Sequence, residues 1–160
     1  MSSKPNTLAA SAIIAVLGLA VISMADLNLT IIPPAYAQSQ TFTAKLTGND
    51  ETPPVSTTAT GTAHFQLSSD GKQLNYDLST TNLQGFMMAH IHKGKAGEGG
   101  KPVVELSMGK GKITSTDLQG PLADKQISDL VNMIKSGGAY VNVHTQQNQN
   151  GEIRGQIMSG

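Results

Sequence analysis

The 160-residue chain has no cysteine and no tryptophan, only three phenylalanines and three tyrosines, and no net charge. Each shortage closes off a class of function. Without cysteine there are no disulfides, iron–sulfur clusters, thiolate zinc sites or cysteine nucleophiles. The compartment stays open on that ground, because secreted proteins also do without disulfides. Eleven basic residues balance eleven acidic ones, which leaves no basic stripe for a nucleic acid to follow. The glycine-rich segment from Lys93 to Lys112, with six glycines and five lysines, lacks the G-x-x-x-x-G-K-[ST] pattern of a phosphate-cradling loop. No G-x-S-x-G elbow accompanies the serines, histidines and aspartates.

The N-terminus, by contrast, carries a long apolar run. Lys4 precedes Leu8 to Ala25, which only Ser11, Gly18 and Ser23 interrupt. Ala35-Tyr36-Ala37 then forms a small-x-small cleavage signal before a switch to polar, strand-like sequence at Gln38. Residues 1–37 read as a secretory signal segment, with an uncleaved membrane anchor as the alternative, since about 18 apolar residues suffice to span a bilayer. Either reading puts residues 38–160 outside the cytoplasm, secreted or at the cell surface. They are enough for one packed core.

That remaining stretch alternates polar and apolar residues with a period of two, the pattern of half-buried strands. Phe42, Ala44 and Leu46 are expected inward on one strand; Ala63, Phe65 and Leu67 on a second; Leu74, Tyr76 and Leu78 on a third; Met87, Ala89 and Ile91 on a fourth, from about Gly85 to His92. Val103 to Leu106 suggests one more, in a segment that otherwise reads as loop. Ile127, Leu130, Val131 and Ile134 recur at helical spacing and predict a helix over about 124–135, stopped by Gly137-Gly138. Two further strands, Ala139–Thr145 and Glu152–Met158, close the chain, the last with Glu152, Arg154 and Gln156 outward. Many short strands, glycine and proline turns and one short helix predict an all-β antiparallel sandwich or barrel of Greek-key type.

Phe86-Met87-Met88-Ala89-His90-Ile91-His92-Lys93-Gly94 holds two of the four histidines. Residues two apart on a strand share a face, so His90 and His92 project together, with Met88 before them. By the same parity His64 and His144 face outward on their own strands. None competes with core packing, so the choice lies between four ordinary surface histidines and a metal site. Imidazole nitrogen suits copper and zinc, and a thioether from Met88 favours Cu(I). Candidate ligands are therefore His90, His92 and His144, with His64 or Met88 as a fourth. Glu152 and Asn142 are placed to orient them. A shared centre requires the strands of His90/His92 and His144 to be adjacent or one apart, with nitrogens roughly 3–5 Å from one another.

Five motifs occur in order: Ala44-Lys45-Leu46-Thr47-Gly48-Asn49-Asp50-Glu51-Thr52-Pro53-Pro54; Gly61-Thr62-Ala63; His90-Ile91-His92-Lys93-Gly94; Gly138-Ala139-Tyr140-Val141-Asn142-Val143-His144-Thr145; and Gly151-Glu152-Ile153-Arg154-Gly155-Gln156-Ile157. Together they resemble the CHRD domain, the repeat named for chordin, from about Thr41 to Met158. The resemblance implies a secreted all-β domain, found alone in microbes, without an established enzymatic activity. A looser, fold-level resemblance is to copper/zinc superoxide dismutase. It matches His90 and His92 to the paired ligands, His144 to the later copper ligand and Arg154 to the arginine beside the copper. The chain departs from that pattern in having no zinc cluster, no bridging histidine and no cysteine pair, so a single copper ion is expected ahead of zinc or a two-metal centre.

Three functions follow as expectations. The first is extracytoplasmic binding of one copper ion. The second is an extracellular interaction module contacting a protein partner through the Lys93–Lys112 segment and the Pro53-Pro54 loop. The third is a superoxide-reacting copper enzyme, for which Arg154 or Lys93 would supply the attracting charge.

Overall fold

The computed structural model describes residues 40–160, so the expected signal segment lies outside the described residues. The described chain forms nine strands and one α-helix: β1 (Thr41–Thr47), β2 (Thr60–Leu67), β3 (Leu74–Thr81), β4 (Phe86–Lys93), β5 (Pro102–Leu106), β6 (Gly109–Ile113), α1 (Ile127–Lys135), β7 (Ala139–Thr145), β8 (Ile153–Gln156) and β9 (Met158–Ser159). Among these residues no helix is long and apolar enough to cross a membrane.

All pairings are antiparallel. The strand order is β5-β4-β7-β8-β1-β2-β3-β6, with β9 also against β1. The first and last strands of that order are separated in the chain only by Ser107 and Met108. The sheet therefore has to curl until its edges nearly meet, and the result is a nearly closed antiparallel barrel with one helix. The expected all-β class holds. Phe42, Leu46, Phe65, Leu78 and Ile91, all from the alternating inward sets, are buried in its interior. Burial at roughly 25 cal/mol per Å2 of apolar surface is the main term that holds such a barrel together.

Several details depart from the expected pattern. Met87, expected inward, is exposed. The β4–β7 register shifts between Phe86 and Met88, so Met87 is the extra residue of a β-bulge and the alternation restarts after it. The segment after β5 is a strand, β6, rather than loop. Its Gly-Lys-Gly-Lys sequence has no apolar alternation because Gly111 lies where the Tyr76 ring crosses the strand, and a Cβ there would strike that ring. The helix begins at Ile127 instead of 124, because Asp124 adopts φ 61°, outside helical space. The Gln126 N–H is then taken by the Asp129 carboxylate at 2.9 Å, which caps the first turn.

The side chains expected outward on β7 and over Glu152–Arg154 are not at the surface. Tyr140, Asn142, His144, Glu152 and Arg154 are all buried. The parity read from the sequence is correct, but two loops cover that face, one running through Glu51 and Thr52 and the other from 94 to 101. The polar groups beneath them hold these loops down.

Candidate metal centre

Adjacent strands β4 and β7 place Met88 opposite His144, His90 opposite Asn142 and His92 opposite Tyr140. Opposed residues in an antiparallel pair share a face, so Met88, His90, His92 and His144 lie on one side. His90, His92 and His144 converge: each offers a ring nitrogen, and these atoms all lie within 4.8 Å of one another. His90 Nδ1 and His144 Nε2 are 3.3 Å apart. That is about the edge of a tetrahedron around an ion bound at roughly 2.0–2.1 Å.

The remaining nitrogens fix how the rings are turned. His144 Nδ1 lies 2.9 Å from the Gln149 carbonyl, and His92 Nδ1 lies 2.9 Å from the Gly100 carbonyl. A carbonyl only accepts, so in each ring the proton sits on Nδ1 and the lone pair is on Nε2, aimed at the shared point. His92 Nε2 is buried and has no hydrogen-bond partner. Burial pushes the His92 imidazole below its ordinary pKa, against the Gly100 carbonyl, which favours the charged ring. Burial, and then the neighbouring His144, also lower His90, while Glu105 across from it on β5 pulls the other way. Two of the three rings are thereby held toward the neutral form that a metal requires.

The sequence explains the carbonyl clamps. The loop after β7 contains Asn148, and Glu152 braces it. The Glu152 carboxylate accepts from Thr145 Oγ1 at 2.6 Å, Thr57 Oγ1 at 2.8 Å and Asn148 Nδ2 at 3.2 Å. Burial alone would raise this carboxyl, but the three donors outweigh it and hold the group below the usual range. Glu152 thus acts on His144 through the loop that presents Gln149. Asn142 donates to both oxygens of Glu51, at 2.8 and 3.0 Å. Burial raises the Glu51 carboxyl, although Arg154 opposes it.

The loop of residues 94–101 clamps His92. Arg154 donates to the carbonyls of Lys95 at 2.9 Å and Glu98 at 2.8 Å. Its guanidinium carbon also rests 3.5 Å from the centre of the Tyr140 ring. The Gly100 N–H donates to the Tyr140 hydroxyl at 3.2 Å. β7 runs between β4 and β8, so His92 meets one face of Tyr140 and Arg154 the other. Arg154 therefore does not stand open beside the histidines, as the dismutase-like matching would have it. Its Nη2 donates to those two carbonyls and its Nη1 to the Thr52 hydroxyl at 3.4 Å, behind an aromatic ring.

His64 is not brought to the cluster. It lies on β2, paired with Thr43 on β1 and Asp77 on β3, and two strands, β8 and β1, separate it from β7. Its Nδ1 lies 3.4 Å from Thr43 Oγ1. Parity reports a face but not which strands are neighbours. Tyr140, Gly100, Gln149 and Glu51 had no assigned role in the sequence reading. Tyr140 did carry a signal, sharing outward parity with Asn142 and His144, whereas a backbone carbonyl that orients a ring has none.

A family model described as the CHRD domain matches residues 42–157 of the chain. No curated protein and no solved structure matches it.

Proposed function

The chain belongs to the CHRD-domain family, and we propose that it is an extracytoplasmic member that binds one copper ion through His90, His92 and His144. The observation that carries this reading is His92 Nε2, a buried lone pair with no partner, aimed with its two neighbours at one point. A buried polar atom without a hydrogen bond costs about 1–3 kcal/mol, and a bound cation removes that cost. The donor set is three imidazoles. It suits copper or zinc, with copper above zinc in the usual order of divalent affinities. Extracytoplasmic placement rests on the N-terminal apolar run and its Ala35-Tyr36-Ala37 signal. Dialysed domain is expected to take up about one Cu(II), with imidazole-nitrogen hyperfine structure in its EPR spectrum. Equal uptake by a His90→Ala/His92→Ala/His144→Ala variant would remove the reading.

A second reading, a metal-free interaction module, draws support from the exposed Pro53-Pro54 loop and the family assignment. The superoxide reading loses its best cation, since Arg154 is enclosed; exposed Lys93 is left to supply it.

A further inference from the structure

Phe86, Met87 and Met88 form three consecutive large apolar side chains that are each more than a third exposed. Among the described residues the other exposed large apolar side chains, Met108 and Met158, stand singly, so packing gives no reason for this run. Met88 falls opposite His144 and, two residues before His90, keeps the face of the histidines; the bulge at Met87 lies ahead of it and leaves that phase intact. The exposed thioether side chain is thus set by register beside the end of the histidine cluster that His144 forms. Beside His90, on β5, the register sets Glu105 instead.

The two flanks differ in chemistry. A thioether is a soft, neutral ligand that binds Cu(I) well and Cu(II) or Zn(II) poorly, while imidazoles serve all three. Methionine is also unbranched and mobile, able to swing onto an ion without moving the strand. We infer that Met88 is a ligand specific to the reduced ion, so that the centre holds Cu(I) through Met88 together with the histidines, and Cu(II) through the histidines without it. This rests on the triad binding copper. It adds a ligand class, Cu(I), and a residue that decides between the two oxidation states.

The test measures Cu(II) and Cu(I) affinity separately, by competition with chromophoric chelators, the Cu(I) series under reductant without oxygen. The proteins are the wild type, Met88→Leu, Met87→Leu, Met158→Leu and the triple histidine variant. Leucine preserves size and apolarity, and Met158 is an exposed methionine on β9. Met88→Leu is expected to lose about tenfold or more in Cu(I) affinity with Cu(II) changed less than about threefold. Met87→Leu and Met158→Leu should match the wild type for both ions. X-ray absorption of the Cu(I) form should show a sulfur neighbour that Met88→Leu lacks. If the triple variant binds Cu(II) as the wild type does, the triad fails and this inference with it. If the triad binds Cu(II) but Met88→Leu keeps full Cu(I) affinity, or the loss follows Met87, the triad stands and the inference alone is overturned.

Discussion

The ring of Tyr140 lies nearly flat against that of His92, with 10° between their planes and 5.1 Å between centroids. Arg154 rests on the opposite face. The three side chains form one stack across β4, β7 and β8, and the hydroxyl at its middle takes the N–H of Gly100, whose carbonyl in turn fixes the His92 proton. Two substitutions separate these roles. Tyr140→Phe keeps both stacked contacts and loses only the acceptor for Gly100. It should cost about 0.5–1.5 kcal/mol of stability and weaken copper binding by a few-fold. Tyr140→Leu also removes the aromatic faces that Arg154 and His92 lie on. It should cost about 3 kcal/mol or more and weaken binding by about tenfold or more, as loss of an outer partner of a metal ligand does. Denaturant melts and copper titrations of both variants read the two effects. Equal copper affinity in all three proteins would show that the stack serves folding alone.

Gly151 makes a sharper packing prediction. A Cβ there would lie 2.5 Å from Glu51 Oε1 and 2.6–2.7 Å from the Asn142 side-chain amide, and the residue has φ 130°. Both the space and the backbone angle exclude a side chain. Gly151→Ala should therefore destabilise the domain by about 2–4 kcal/mol, and it should do so by breaking the bonds from Asn142 to Glu51. In the Glu51→Gln background, with one carboxylate oxygen replaced by an amide, less of that interaction is left to break, so the double variant should lose less than the sum of the single effects. A double-mutant cycle in urea measures this. An additive result would mean that the strain of Gly151→Ala is taken up elsewhere.

The shared face of the histidine cluster was legible because it depends on strand parity, and parity survives folding. His90, His92 and His144 keep their outward phase whatever the loops do, whereas the pairing of their strands was a requirement of a shared centre that only the topology supplies. The burial of that face was not legible. It depends on Glu51 meeting Asn142, 91 residues away, and on Arg154 reaching back to the carbonyls of residues 95 and 98, contacts that leave no periodic trace. His64 has the same parity and the wrong neighbours, because strand order is set by the whole topology. Met87 and β6 failed for local reasons, a bulge that resets the phase and a strand whose glycines make room for Tyr76.

The two buried carboxylates should respond to pH in opposite senses. Burial raises Glu51 in the folded state. The unfolded chain then releases its proton first as pH rises, so folding loses stability between the unfolded and folded pKa values. Glu51→Gln should accordingly gain on the wild type as pH rises from about 4 towards neutral. Glu152 is lowered, its three donors outweighing burial. Its contribution is present above the unfolded pKa and is lost as pH falls through the folded one. Glu152→Gln should be less stable than the wild type at neutral pH, by about 1–3 kcal/mol, with the gap closing in acid. An amide there points N–H groups at the Asn148 or threonine donors, so copper affinity should fall as well through the loop that carries Gln149. Urea titrations at several pH values give both curves. Parallel curves for wild type and variants would contradict these assignments.

Metal removal supplies the most direct separation of the copper reading from the interaction-module reading. An ion that binds only the folded state stabilises it by RT ln(1 + [L]/Kd), about 2.7 kcal/mol when free copper is a hundred times Kd. In a domain of this size each kcal/mol shifts the midpoint by about 3–6 °C, so copper-loaded protein should melt roughly 10 °C above chelator-treated protein. Magnesium, which prefers oxygen ligands, should give no shift. The His92→Ala protein should have lost most of the copper-induced rise. Its metal-free midpoint should fall, because the ring also gives up its stack on Tyr140 and its bond to the Gly100 carbonyl, with the relief of an unpaired buried nitrogen offsetting part of that loss. The copper response is therefore what separates the readings. If the ring were there only to pack against Tyr140, His92→Ala would lower the metal-free midpoint while copper left both proteins unchanged, and the interaction-module reading would stand in its place.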